Sequence, residues 1–101
     1  MKSVNDVMRR LEIEGLTPFQ VRVLLEVCKI PKGRTTSYRE IARKVGRPNA
    51  YRAVGTAMRK NPFLIEVPCH RVVKSDGSLG NYSNGGSRMK AKLLRNEGAI
   101  A

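Results

Sequence analysis

Apolar residues recur at helical spacing along most of the chain, and turn-forming residues separate the stretches. Met1 to Leu11 places Val4, Val7, Met8 and Leu11 on one face, predicting a short amphipathic helix closed by Gly15. Thr17 then reads as an N-cap, with Pro18 at the first helical position and Gln20 three residues on. That is a capping-box pattern. The helix it opens runs to about Cys28, burying Val21, Leu24, Leu25 and Cys28, and Pro31 and Gly33 end it. Ser37 with Glu40 repeats the box for a helix carrying Ile41, Ala42 and Val45 and stopping at Gly46. After the turn Arg47-Pro48-Asn49, Asn49 is positioned to cap a third helix through Ala53, Val54, Ala57 and Met58. Two short helices joined by a Gly-containing turn form a helix-turn-helix pattern, and the second bears Arg52, Arg59 and Lys60.

Beyond Pro62 the period changes. Phe63 to Val67 is short, apolar and β-prone. Val72-Val73 followed by Asp76-Gly77 predicts a strand and hairpin, a wing beside the helix-turn-helix. Asn81 to Gly86 is loop-like, and Ser87 caps a last helix with Met89, Leu93 and Leu94 on its apolar face. The expected fold is mainly α, a winged-helix DNA-binding domain of about four or five helices with a small β-hairpin wing. One domain over residues 1–101 is expected, with 1–15 as an N-terminal extension.

Charge sharpens this picture. Twenty Lys and Arg against eight Asp and Glu give a net +12, a field that attracts polyanions, nucleic acid first among them. A generally basic or ribosome-associated protein has the same balance. No apolar run approaches the roughly 18 residues of a membrane span. The first ten residues lack a signal-peptide core, so a cytoplasmic protein, nucleoid-associated if prokaryotic, is the expectation. Two cysteines and one histidine match no zinc-finger spacing, so neither metal nor cofactor is expected. A Cys28–Cys69 disulfide is disfavoured in a reducing compartment.

The chemistry centres on Val67-Pro68-Cys69-His70-Arg71-Val72. A thiolate is a strong nucleophile, and imidazole or cationic neighbours favour its formation. Adjacent residues of an extended strand point to opposite faces. His70 therefore reaches Cys69 only through a water or a kinked backbone. A buried cysteine beside a surface histidine fits these residues equally well.

Pro68-Cys69-His70-Arg71-Val72 resembles the active-site signature of the O6-alkylguanine-DNA alkyltransferases, specifically their C-terminal catalytic domain. Further landmarks follow in the family's order: Thr17-Pro18-Phe19-Gln20, Ser37-Tyr38 with Ile41-Ala42, Arg52-Ala53-Val54-Gly55, Ala57-Met58-Arg59, Asn61-Pro62, Gly80-Asn81-Tyr82-Ser83 and Glu97-Gly98. The resemblance implies that Cys69 accepts the alkyl group once and irreversibly. It makes His70 a base acting through water, Glu97 the group that orients His70, and Asn61 the holder of the active-site turn. It makes Arg52 the side chain filling the space left by a flipped base, with Ala53, Gly55 and Arg59 on a helix laid in the minor groove. Tyr38, Tyr82, Ser83 and backbone groups of Val72 would receive the guanine. The implied partner is double-stranded DNA containing O6-alkylguanine, met by a monomer without membrane attachment, with other repair proteins as further partners.

Three features depart from the family. The usual N-terminal α/β domain is missing, the loop after Ser83 is one residue longer, and Glu66 replaces an apolar residue. The size also resembles alkyltransferase-like proteins, which bind the lesion without removing the group and usually carry Trp at the Cys69 position. Cys69 favours chemistry and the missing domain favours a lesion sensor. A plain winged-helix regulator is the third reading.

Overall fold

The computed structural model describes residues 4–62, 67–80, 82 and 85–100, leaving aside the side chains of 4, 5 and 7. Helix α1 spans Val4–Ile13, α2 Pro18–Cys28, α3 Tyr38–Lys44, α4 Tyr51–Arg59 and α5 Gly86–Asn96. Two short strands, β1 (Thr36–Ser37) and β2 (Val72–Val73), and a 3-10 turn at Cys69–Arg71 complete the described elements. The fold is mostly helical with a small sheet, as the pattern predicts.

The capping box of α2 forms in full. Thr17 Oγ1 accepts from Gln20 N at 3.2 Å, and Gln20 Oε1 accepts from Thr17 N at 3.0 Å. Ser37 caps α3 through Glu40 N at 3.0 Å, while the Glu40 carboxylate pairs forward with Arg43. Helix α2 is the centre of the core. Val21, Val23, Leu24 and Val27 are all buried, a wider face than the predicted stripe, whose Leu25 and Cys28 are only partly covered. Leu11, Ile41, Ala42, Val54, Ala57, Val67, Val72 and Leu94 join that core.

Three expectations change. The small sheet is not a hairpin: β2 pairs in parallel with β1, Thr36 opposite Val72 and Ser37 opposite Val73. The Asp76-Gly77 signal makes only a tight turn, closed by Lys74 N to Ser78 O at 2.9 Å and Gly77 N to Lys74 O at 3.0 Å. Asp76 accepts from the Ser78 amide and hydroxyl inside that turn. Second, Asn49 does not cap α4; Ala50 holds that place without a side-chain bond. Third, Ser87 lies inside α5, whose N-cap is Gly85 at φ +103°. This earlier start and the packing of α5 leave Met89 36% exposed and bury Lys90 completely. Lys90 and Leu94, four residues apart, share the inward face. The β-prone stretch 63–66 and loop positions 81, 83 and 84 lie outside the described residues.

Candidate active site and DNA interface

The parallel pairing of β1 and β2 places the start of α3 beside the turn at Cys69. Pro68 precedes that turn, and Arg71 N bonds back to Pro68 O at 3.0 Å. The backbone is therefore kinked where an extended strand would have separated Cys69 from His70. Both side chains are 4% exposed.

Cys69 is held from α4's C-terminal side. Asn61 Nδ2 donates to Cys69 Sγ at 2.9 Å and to the Val67 carbonyl at 3.0 Å. One buried amide thus fixes both the sulfur and the chain leading to it. Burial pushes the thiol up to about 11, against opposing contributions from Asn61 and Lys90. The resting group is the neutral thiol, and a base must act before it becomes a nucleophile.

His70 meets Glu97. Its Nε2 lies 3.0 Å from Glu97 Oε2, an ion-pair distance without hydrogen-bond alignment. Neither ring nitrogen has a hydrogen-bond partner among the described residues. Glu97 is shared with a residue that sequence reasoning quoted in the motif but gave no role. Arg71 donates Nε to Glu97 Oε1 at 3.0 Å and Nη2 to Oε2 at 2.7 Å. Its third donor, Nη1, reaches the Ile30 carbonyl at 2.8 Å. The Arg71 guanidinium, with help from His70 and against burial, holds the Glu97 carboxyl down at about 2. Glu97 is a fixed anion and not a proton acceptor near neutral pH.

A cleft of about 820 Å³ opens above Cys69. Arg52, Gly55 and Arg59 of α4 line it, with Tyr38, Tyr82 and the Lys74–Asp76 turn around them. Arg52, Ala53 and Arg59 are exposed on α4, opposite its buried Val54, Ala57 and Met58. Arg59 is steadied by Thr56 Oγ1 at 3.1 Å. Burial and the nearby Cys69 raise the Tyr38 phenol, while the Arg59 charge opposes them. Tyr82 is buried, and its hydroxyl has no hydrogen-bond partner among the described residues.

Not every candidate converges on this cleft. His70, Glu97, Asn61 and Ala53 stand outside its lining, and Val72 is buried with its amide bonded to Cys69 O. Ser83 lies outside the described residues. Cys28 and Cys69 are both free thiols. Among the described residues, no helix is long and apolar enough to cross a membrane.

A helical DNA-binding fold with a cysteine at the base of a basic cleft is the class these features define. The chain belongs to the family described as 6-O-methylguanine DNA methyltransferase, DNA binding domain, which matches residues 18–99. It is 52% identical over 81 residues to the mouse methylated-DNA–protein-cysteine methyltransferase, spanning 79% of this chain and 38% of the mouse protein. The structure resembles Mycobacterium tuberculosis OGT, solved in complex with DNA, with a TM-score of 0.77 and 47% identity. That match covers 83% of this chain and 52% of the other. It also resembles S. pombe Atl1, solved with damaged DNA containing O6-carboxymethylguanine, with a TM-score of 0.71 and 37% identity. There 79% of this chain and 75% of Atl1 are covered. The chain thus spans less than half of the mouse relative, and the part of the methyltransferase that the family model describes is its DNA-binding domain.

Proposed function

We propose that this chain is the catalytic, DNA-binding part of a direct-reversal DNA-repair protein that moves an alkyl group from O6 of guanine onto Cys69. One observation carries the reading: the cysteine lies buried at the base of a cleft walled by the basic face of α4, with Asn61 on its sulfur.

The base must leave the duplex stack to reach so deep a sulfur, and Arg52 fills the space it leaves, a role supported by its exposure on α4 at the cleft. Ala53 and Gly55 keep that helix face low enough for close approach to the minor groove. The Cys69 proton passes through a water to His70, whose buried Nδ1 has no hydrogen-bond partner among the described residues. Glu97 favours the resulting imidazolium. The sulfur attacks the alkyl carbon, the S–C bond forms and the C–O6 bond breaks. The electron pair goes to guanine, and the Tyr38 phenol steadies the charge appearing there. Tyr82, Ser83 and the Val72 backbone serve to receive the base. The product thioether is stable, so each molecule acts once.

A second reading rests on the thiol held up at about 11 and on the likeness to Atl1: a sensor that binds the lesion and recruits other factors. Intact-mass spectrometry after incubation with an O6-methylguanine duplex separates the two. Transfer gives a gain of one methyl group that maps to Cys69 and is absent in Cys69→Ala. Tight lesion binding without a mass change would sink the transferase reading and establish the sensor.

A further inference from the structure

Of the α4 residues that line the cleft, Tyr51, Arg52 and Arg59 are exposed. Two are cations and suit a polyanion; Tyr51, the first residue of the helix, is a neutral ring, 36% exposed. Among the described residues the other exposed large apolar side chains are Ile13 and Met89, and neither lines the cleft. Tyr38 and Tyr82 do line it, but Tyr38 is half-buried and Tyr82 buried. The Arg39 guanidinium, from the second residue of α3, lies over the Tyr51 ring, 5.1 Å from its centre and within cation–π range. Arg39 lines the cleft as well. This contact ties α3 to α4 at the cleft and restrains the ring, so little of its freedom is left to lose on binding.

We propose that Tyr51 is a stacking platform for DNA, its ring receiving a base that borders the gap left when the guanine swings out. The purpose of the platform rests on the base-flipping reading above, while the stacking itself concerns any unstacked base. A base leaving the duplex deprives its neighbours of a stacking surface. An aromatic ring replaces that surface whatever the base, because every base has a π-face. The division of labour on α4 follows: Arg52 occupies the gap, Arg59 meets the backbone, and Tyr51 supports a base at the gap's edge. With a cation over it, the ring keeps its place at the cleft before any base arrives.

The test compares the full chain with Tyr51→Ala, Tyr51→Leu and Tyr51→Phe, using fluorescence anisotropy with an O6-methylguanine duplex and the matched plain duplex. Tyr51→Ala should bind the lesion duplex about tenfold more weakly, the size of one lost base–aromatic stack, and the plain duplex nearly as the parent does. Tyr51→Leu, apolar but without a ring, should lose as much, and Tyr51→Phe should restore the affinity. Alanine at an exposed helical position favours the helix, so the unfolding temperature should hold. A second readout is direct: 5-iododeoxyuridine placed opposite or beside the lesion should photocross-link to Tyr51, mapped by peptide mass spectrometry. Parental affinity in the folded Tyr51→Ala, equal loss on both duplexes, or equal loss in Tyr51→Phe would each overturn the proposal. The last two outcomes would make Tyr51 a groove contact or a phenol contact to phosphate. If the parent itself does not favour the lesion duplex, the base-flipping reading fails. Binding and cross-linking of single-stranded oligothymidylate, whose bases are already free to stack, then still decide whether Tyr51 is a platform: no loss in Tyr51→Ala and no cross-link at Tyr51 would end it.

Discussion

Asn61 and Glu97 are the two side chains that tie the sulfur and the imidazole to the fold, and they respond differently to change. Asn61 donates to both Cys69 Sγ and the Val67 carbonyl. Asn61→Ala leaves a buried carbonyl and a buried thiol without that donor, a loss of about 1–3 kcal/mol in chemical denaturation. It should also slow alkyl transfer, because one of the groups drawing the thiol down is gone. Glu97 is governed by charge. Its folded carboxyl sits at about 2, below the ordinary 4.5, chiefly through Arg71. A depressed acid contributes stability that is full above its unfolded value and is lost as pH falls through the folded one. The Arg71–Glu97 pair should therefore hold α5 and the turn together at neutral pH and weaken between about 4.5 and 2. Thermal unfolding of Glu97→Gln across that range should show a flatter acid limb than the parent; parallel limbs would remove Glu97 as the source. The motif drew attention to Cys69 and His70, and the family resemblance to Asn61. Arg71 and Lys90 were not legible, because in a chain with twenty Lys and Arg a basic residue reads as surface. Only the tertiary packing of α2, α3 and α5 distinguishes these two.

At the scale of elements, local signals were readable and distant ones were not. The Thr17 and Ser37 caps lie within three residues of their partners, so sequence spacing carries them. The parallel pairing of β1 with β2 joins residues 36 apart, and no local pattern announces it. The Asp-Gly signal after Val73 is real but is consumed by a turn. The starts of α4 and α5 were misread for one reason: backbone conformation, not a side-chain oxygen, begins each helix. Two glycines turn this into a prediction. Gly85 has φ +103°, and a Cβ there would stand 2.7 Å from Met89 Cβ, an atom fixed to the α5 backbone. Gly85→Ala should therefore destabilise the chain by more than about 1 kcal/mol. At Gly55 a Cβ would approach Tyr38 no closer than 4.0 Å, and alanine suits a helix better than glycine. Gly55→Ala should leave the unfolding temperature unchanged or raised, while weakening duplex binding because the α4 face at the cleft grows taller. Equal duplex affinity in Gly55→Ala and the parent would show that this face does not approach DNA closely.

For the whole molecule the governing quantity is the net +12. Binding driven by released counterions weakens as salt rises, with a logarithmic slope set by the number of phosphates neutralised. That term is blind to the lesion, and Arg52 and Arg59 of α4 separate it from recognition. Both are at the cleft and both are basic, yet they are held differently. Arg59 is braced by Thr56, which suits a fixed phosphate contact. Arg52, one residue into α4, is exposed at the cleft, and entering the duplex is the role proposed for it. Fluorescence anisotropy with matched duplexes, with and without O6-methylguanine, over a range of salt tests the division. Arg59→Ala should reduce the salt slope by about one and weaken both duplexes alike. Arg52→Ala should lose more affinity for the lesion duplex than for the plain one, because holding the base outside the stack depends on the side chain that replaces it. If Arg52→Ala instead weakens both duplexes equally, Arg52 is a second phosphate contact, and the sulfur must reach its base by some other means of opening the helix.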